Sequence, residues 1–334
     1  MQMRKEKYKM LAITGLLTIS TGIIFYLIFT QIDLRETFSI IRQVNLRILS
    51  ESILISVVLN IFVDVEIRRR IWLYMNYALS YKEAFFLRMG SMPFKVIPSF
   101  KDTGIVPALY LKKFYNMPII EGVLSNVIAN IFNLIAILLF ITFGYMFYGI
   151  RTSTIDQYPL YLFIVLMLIF VVFILLYSFL INQKIGKRIL FYLCFSKTSK
   201  YYTILQKNMD IWKSLPAQET TFLLVYSILF QIGELLIFFV LSKAYHLAIP
   251  FTAILLYVPL AIIISNLPVT FTGFGVREGA FVIFFLNFGT KETLFALGTV
   301  VFFVNKLVPL FVGFLLLIPF IHKLQFSKKT LEQL

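Results

Sequence analysis

The residues best placed to do chemistry stand together between Ser265 and Ala280, where SNLPVTFTGFGVREGA interrupts one of the most apolar stretches of the chain. Pro268 ends one helical segment, Gly273 and Gly275 let the backbone reverse, and Thr270 and Thr272 can bond the carbonyls that the break sets free. A second helical segment is expected to begin near Val276. Its N–H groups and positive dipole end then lie at the break with Arg277 beside them, which is anion-binding chemistry. Glu278 reads either as a local ion-pair partner of Arg277 or as part of a functional site. The three glycines make no dinucleotide fingerprint, because no strand precedes them and the spacing differs.

A few further polar residues sit inside apolar segments. Lys306, next to Asn305, lies well within the last one, where an unpaired ammonium costs at least about 2.5 kcal/mol. It calls for a carboxylate such as Glu234 or Glu278, or for an anionic ligand. Gln231 and Glu234 are one helical turn apart and can line the same cavity. Asn126, Asn130 and Asn133 recur as a polar stripe on one helix, suited to interhelical hydrogen bonds or to a cavity wall. Cys194 has no partner for a disulfide, and His246 and His322 have no acidic or thiol companions at ligand spacing, so neither a metal nor another cofactor is expected.

These residues need a scaffold that can hold them, and composition names it: 60% of residues are hydrophobic, 17% aromatic and only 14% charged. An integral membrane protein follows, all-α and polytopic, read as one domain over 1–334 with no room for a separate soluble domain. Six stretches are long enough to cross the hydrocarbon: Met10 to Phe29, Ile48 to Val65, Ile119 to Tyr148, Pro159 to Ile181, Thr221 to Ser242 and Leu294 to Ile321. The first lacks a small-residue cleavage site and reads as a retained helix. Two shorter stretches, Ala84 to Ile97 and Phe251 to Leu267, run into a proline and then turn apolar again beyond a glycine. Both read as re-entrant hairpins of two half-length helices.

The basic residues fit that topology. With both termini in the cytoplasm of a cell membrane, inner segments hold 20 Lys/Arg and outer ones 6, as the positive-inside rule requires. The formal charge of +15 is thereby largely explained, and nucleic acid is not expected as a partner. The halves, about 10–148 and 159–321, show the same order of elements from opposite faces, the inverted-repeat design of secondary transporters. Within the second, the basic, aromatic-rich segment 182–220 is expected to lie as an amphipathic helix on anionic inner-leaflet lipids.

The run P-x4-G-F-G-V-R-E-G-A, together with VNKLVPLFVGFLL from Val304 to Leu316, resembles the transmembrane domain of the lysylphosphatidylglycerol synthase and flippase family, also found alone as flippase-like membrane proteins. IPSFKDTGIVPALYL matches the family's first Pro-Gly segment loosely. Ile105, Val106 and Pro107 follow its glycine where an acidic and a basic residue are usual. Amides stand at Asn126 and Asn130 in place of charged residues, and Lys306 replaces the usual arginine. The resemblance implies movement of a phospholipid, often aminoacylated, between leaflets. The lipid phosphate would meet Arg277, Lys306 and the backbone after Gly275, with Glu234 and Glu278 balancing these cations or binding an ammonium. Since the family's aminoacyl transfer resides in a separate soluble domain, the chain reads as a transporter and not an enzyme. A homo-oligomer or a separate lipid-modifying enzyme could be its partner. The alternative is a membrane subunit or enzyme acting on polyprenyl-phosphate-linked or glycolipid substrates.

Overall fold

The computed structural model describes residues 30–96, 104–149, 216–266 and 274–324, with Thr21, Gly22 and Tyr26 besides. Among the described residues all regular structure is helical. The chain builds α1 (Leu34–Arg42), α2 (Leu46–Tyr74), α3 (Tyr81–Gly90), α4 (Ile105–Tyr115), α5 (Ile119–Tyr148), α6 (Ala217–Ala244), α7 (Phe251–Asn266), α8 (Val276–Phe285) and α9 (Lys291–Leu324).

Helices α2, α5, α6 and α9 hold 28 to 34 residues each and are apolar enough to cross a membrane. They answer to four of the six stretches expected from sequence. Pro159 to Ile181 and the segment 182–215 fall outside the described residues, as does Met10 to Phe29 apart from three helical positions. At about 1.5 Å per residue, α3 and α8 with 10 residues and α4 with 11 are each too short to cross. Such lengths suit the half-helices expected around the two breaks. The tips themselves, 97–103 and 267–273, are outside the described residues, and Gly273 lies with them.

Two elements differ from the sequence reading. Helix α1 forms where only a connecting loop was expected, because Asp33 accepts hydrogen bonds from the Arg35 and Glu36 N–H groups and caps it. Helix α2 runs on to Tyr74 instead of ending near Val65. The charges after Val58 do not stop it, because neighbouring elements pair them inside the bundle.

The regions around the two breaks share local devices. Helix α2 ends in a left-handed Asn76 (φ 68°) and α6 in a left-handed His246 (φ 56°). In both, the next N–H reaches back to close the end: Tyr77 N–H to Trp72 O at 2.9 Å, Leu247 N–H to Ser242 O at 3.0 Å. That is a Schellman closure, which satisfies carbonyls the helix leaves open. After each break the next helix starts behind a glycine of positive φ, Gly104 (66°) before α4 and Gly275 (86°) before α8.

Packing follows the same division. Helix α5 lies along α4, α6 and α7, while α9 meets α1 and α8 with its first part and α3 with its last. Phe238, Phe281, Phe285, Leu297 and Val301 fill one core, and Val65, Trp72, Leu87, Leu111 and Phe320 another. Two long helices contain π turns, Leu59–Asp64 in α2 and Phe303–Leu307 in α9. A π turn loosens carbonyls from the helical ladder, and here hydroxyls from other elements take them. The Tyr81 hydroxyl of α3 donates to Ile61 O in the first turn, and Ser56 Oγ of α2 donates to Val304 O in the second at 2.8 Å.

Candidate functional site

Below the first break, charges of α2 and α3 meet an amide of α5. The π turn of α2 ends at Asp64, whose carboxylate accepts from Arg88 Nε on α3 and lies 3.3 Å from Arg68 Nε, one turn further along α2. Arg68 also donates through Nη1 to Asn126 Oδ1 on α5 at 2.6 Å. All three charged side chains are under 10% exposed. Arg88 is carried on the last turn of α3, a helix whose start is fixed by a reciprocal Ser80 and Glu83 capping box. Next to this group Trp72 Nε1 donates to Ser125 Oγ at 2.9 Å, and Ser125 Oγ donates to Gly122 O at 2.7 Å. Asn126 sits against Gly104: a Cβ there would come within 2.7 Å of the Asn126 Cβ. Arg68, Arg88 and Lys95 line a cavity of about 20 Å³ between these elements, with Gly104 and Asn126 on its wall. A space of that size holds a water or one oxygen of a larger group.

The second break is built differently. Gly275 N–H donates to Glu278 Oε2 at 2.6 Å, so the carboxylate three residues into α8 caps its own helix. Glycine offers no side chain for the reciprocal bond, which leaves half of a capping box. Arg277 is 3% exposed and Glu278 0%. They are adjacent in sequence, yet Arg277 forms no ion pair among the described residues. Its guanidinium stacks 5.5 Å from the Phe302 ring of α9, itself packed on Phe274. Arg277 Nε and Glu278 Oε1 lack hydrogen-bond partners among the described residues. Glu278 also packs on Gly298 of α9, whose missing side chain makes the room.

The other sequence candidates scatter. Asn305 is buried in the π turn of α9, whereas Lys306 beside it is exposed. Glu234 is buried on α6 and, like Glu278, makes no ion pair among the described residues. Neither Glu234 nor Glu278 forms an ion pair with Lys306. Gln231 is buried next to Glu234, with Nε2 unbonded among the described residues. The asparagine stripe divides, with Asn126 in the arginine cluster, Asn133 half-buried and Asn130 exposed. No group of metal-ligating side chains occurs among the described residues.

Sequence reasoning passed over Asp64, Arg68, Arg88 and Lys95. The expected span Ile48 to Val65 takes in Asp64 and stops short of Arg68, and the stretch Ala84 to Ile97 takes Arg88 and Lys95 into a hairpin without a role. One signal was available: two basic residues inside the short apolar stretch 84–97, which lipid would not tolerate without partners.

The bundle thus keeps charge inside and apolar surface outside, around two glycine breaks at matching places. The pattern of the family described as the lysylphosphatidylglycerol synthase TM region matches residues 12–313. No curated protein matches the chain. Covering most of the sequence, the match shows that the chain belongs to the lysylphosphatidylglycerol synthase transmembrane-region family.

Proposed function

We propose that this chain moves a phospholipid between the leaflets of a cell membrane, without covalent chemistry, through a polar passage between its two broken elements. One observation carries the reading: Asp64, Arg68, Arg88, Glu234, Arg277 and Glu278 are all buried, while Ile283 is 74%, Leu315 66% and Ile318 80% exposed. Stability alone requires none of these buried charges, since apolar residues of similar volume serve a membrane bundle as well or better. A headgroup crossing hydrocarbon does require them.

The reading takes the full chain as a single domain of six spans and two re-entrant hairpins arranged as an inverted repeat, with cytoplasmic termini. The paired Schellman closures at Asn76 and His246 and the paired glycines Gly104 and Gly275 support the repeat. The distribution of lysine and arginine supports the orientation. Broken helices that meet inside such a repeat are where transporters place their substrate.

The test is reconstitution of the purified chain in vesicles with a labelled phospholipid, following the label's accessibility to a membrane-impermeant quencher and then the lipid mass. Relocation faster than in protein-free vesicles, at unchanged mass, is expected. Arg277→Gln should slow it without lowering the melting temperature. A parental rate equal to that of empty vesicles, or a change in lipid mass, would refute the reading.

A further inference from the structure

Taking as given that the chain moves a phospholipid, we infer that α2 and α9 bend together at their π turns, and that this hinge carries the region of the first break relative to that of the second. The first argument is where the two cores part. Helix α2 contributes Leu59 to the core around Phe238 and Phe281, and Val65 and Trp72 to the core around Leu87 and Phe320. Helix α9 contributes Leu294, Leu297, Val301 and Val304 to the former, and Phe320 and Leu324 to the latter. Each helix thus changes core across its own π turn, Leu59–Asp64 or Phe303–Leu307. A π turn closes its hydrogen bonds one residue later than an α turn and is a weak point of the helical ladder. A packing irregularity needs no such boundary; a hinge does.

The second argument is how α9 is held. Its first part is fixed to α8, where a Cβ on Gly298 would come within 3.0 Å of Phe281 and 3.2 Å of Glu278. Its last part is fixed to the other region. A Cβ on Gly90 of α3 would come within 2.5 Å of Phe320, the Phe320 and Tyr110 rings stack at 5.7 Å, and Lys113 of α4 donates to Lys323 O and Leu324 O at 2.8 and 2.9 Å. Any displacement between the two regions must then be absorbed in the turn between Phe302 and Val308, as hinges absorb motion in a few residues. Coupling is the third. Ser56 Oγ of α2 donates to Val304 O, so one hydroxyl joins the two helices at their turns, and Tyr81 of α3 holds Ile61 O. Single hydrogen bonds of this kind can be exchanged at small net cost. By contrast α5 from Ile119 to Gly144 and α6 from Ala217 to Ala244 stay α-helical throughout and form the frame against which α2 and α9 bend. The turns also adjoin the buried charges: Asp64 ends that of α2, and Phe302, on which Arg277 stacks, precedes that of α9. Bending therefore alters the path between the two charged regions.

Pairs of nitroxide labels report the bend. A Cys194→Ser background removes the one native cysteine. Ile283→Cys with Ile318→Cys then places labels at exposed positions on α8 and on the last part of α9, across the hinge, whereas Ile283→Cys with Leu46→Cys keeps both on the α8 side. Distances are read by pulsed double electron resonance on the full chain in phospholipid vesicles. Two distances are expected across the hinge and one within the α8 side. Ser56→Ala should shift the ratio of the two about fivefold, the weight of one hydrogen bond. Deletion of Leu307, which shortens the π turn to an α turn, should leave a single distance and cause loss of relocation at an unlowered melting temperature. Where the deletion does lower the melting temperature, Ser56→Ala, which leaves the helix whole, decides. A single parental distance across the hinge, or a ratio unmoved by Ser56→Ala, would overturn the hinge. So would a folded deletion variant that keeps both distances or the parental rate of relocation. A parental chain with two distances that moves no lipid defeats the transport reading and leaves the bend standing.

Discussion

Gly104 and Gly275 both start short helices at a positive φ, and the two breaks then treat charge in opposite manners. At the first, Asp64 and Arg68 come from α2, Arg88 from α3 and Asn126 from α5, so the cluster exists only when three elements have packed. At the second, arginine and glutamate are neighbours on a single turn, and each turns away from the other. Glu278 binds the backbone of Gly275, and Arg277 lies over Phe302. Where buried charges are mutually paired, removing one leaves the other stranded, which makes the first break costly to disturb. Arg277 forms no ion pair among the described residues. The first region should therefore respond to substitution mainly in stability, the second mainly in transport.

The largest effect tests that contrast directly. Arg88→Gln takes a hydrogen-bonded cation from the buried Asp64, and a loss of about 3–5 kcal/mol is expected, read by chemical unfolding in detergent. Asp64→Asn combined with Arg68→Gln and Arg88→Gln should recover most of it, because none of the three mutually paired charges then remains. Arg277→Gln should cost far less than Arg88→Gln. Equal losses at the two sites would erase the distinction.

A smaller effect concerns Gly104. Alanine at Gly104 must hold a left-handed conformation, which costs about 1–2 kcal/mol. Gly104→Ala should cost more than that, because its Cβ also meets Asn126 at 2.7 Å and Asn126 is tied to Arg68. In unfolding measurements Gly104→Ala should cost less when Asn126 is already alanine. If the cost is the same in both backgrounds, the clash with Asn126 is not what the first break guards against.

How far each region can be read from sequence follows from the same contrast. Gly275, Arg277 and Glu278 lie within four positions, so a proline, the glycines and an ion pair in an apolar stretch announce them. The four long helices were equally plain, since each is a continuous apolar run bounded by polar residues. Asp64 and Arg88 are 24 positions apart, and Arg68 and Asn126 58. No periodicity joins residues at such separations; the contact is made by packing of α2, α3 and α5. The end of α2 was misplaced for a related reason. Charges read singly mark the edge of a membrane, whereas Asp64 and Arg68 compensate each other one turn apart within the helix. Helix α1 escaped because a short amphipathic helix carries little apolar signal, although Asp33 is a recognisable cap.

The smallest effect asks whether Glu278 is only a cap. Its Oε2 takes the Gly275 N–H at 2.6 Å, while Oε1 has no hydrogen-bond partner among the described residues. Glu278→Ala removes the acceptor and should cost about 1 kcal/mol, as loss of a capping side chain does. Glutamine keeps an oxygen at the same reach and forfeits only the charge at the helix start, worth a few tenths to about 1 kcal/mol. Glu278→Gln should therefore unfold close to the parent. Relocation should separate the roles, because a neutral amide can cap α8 but cannot balance Arg277 as a headgroup passes. The expected outcome is a slower Glu278→Gln protein of nearly parental stability. If that variant transports at the parental rate, the carboxylate serves the backbone alone, and Arg277 is left as the charged group through which the second break acts.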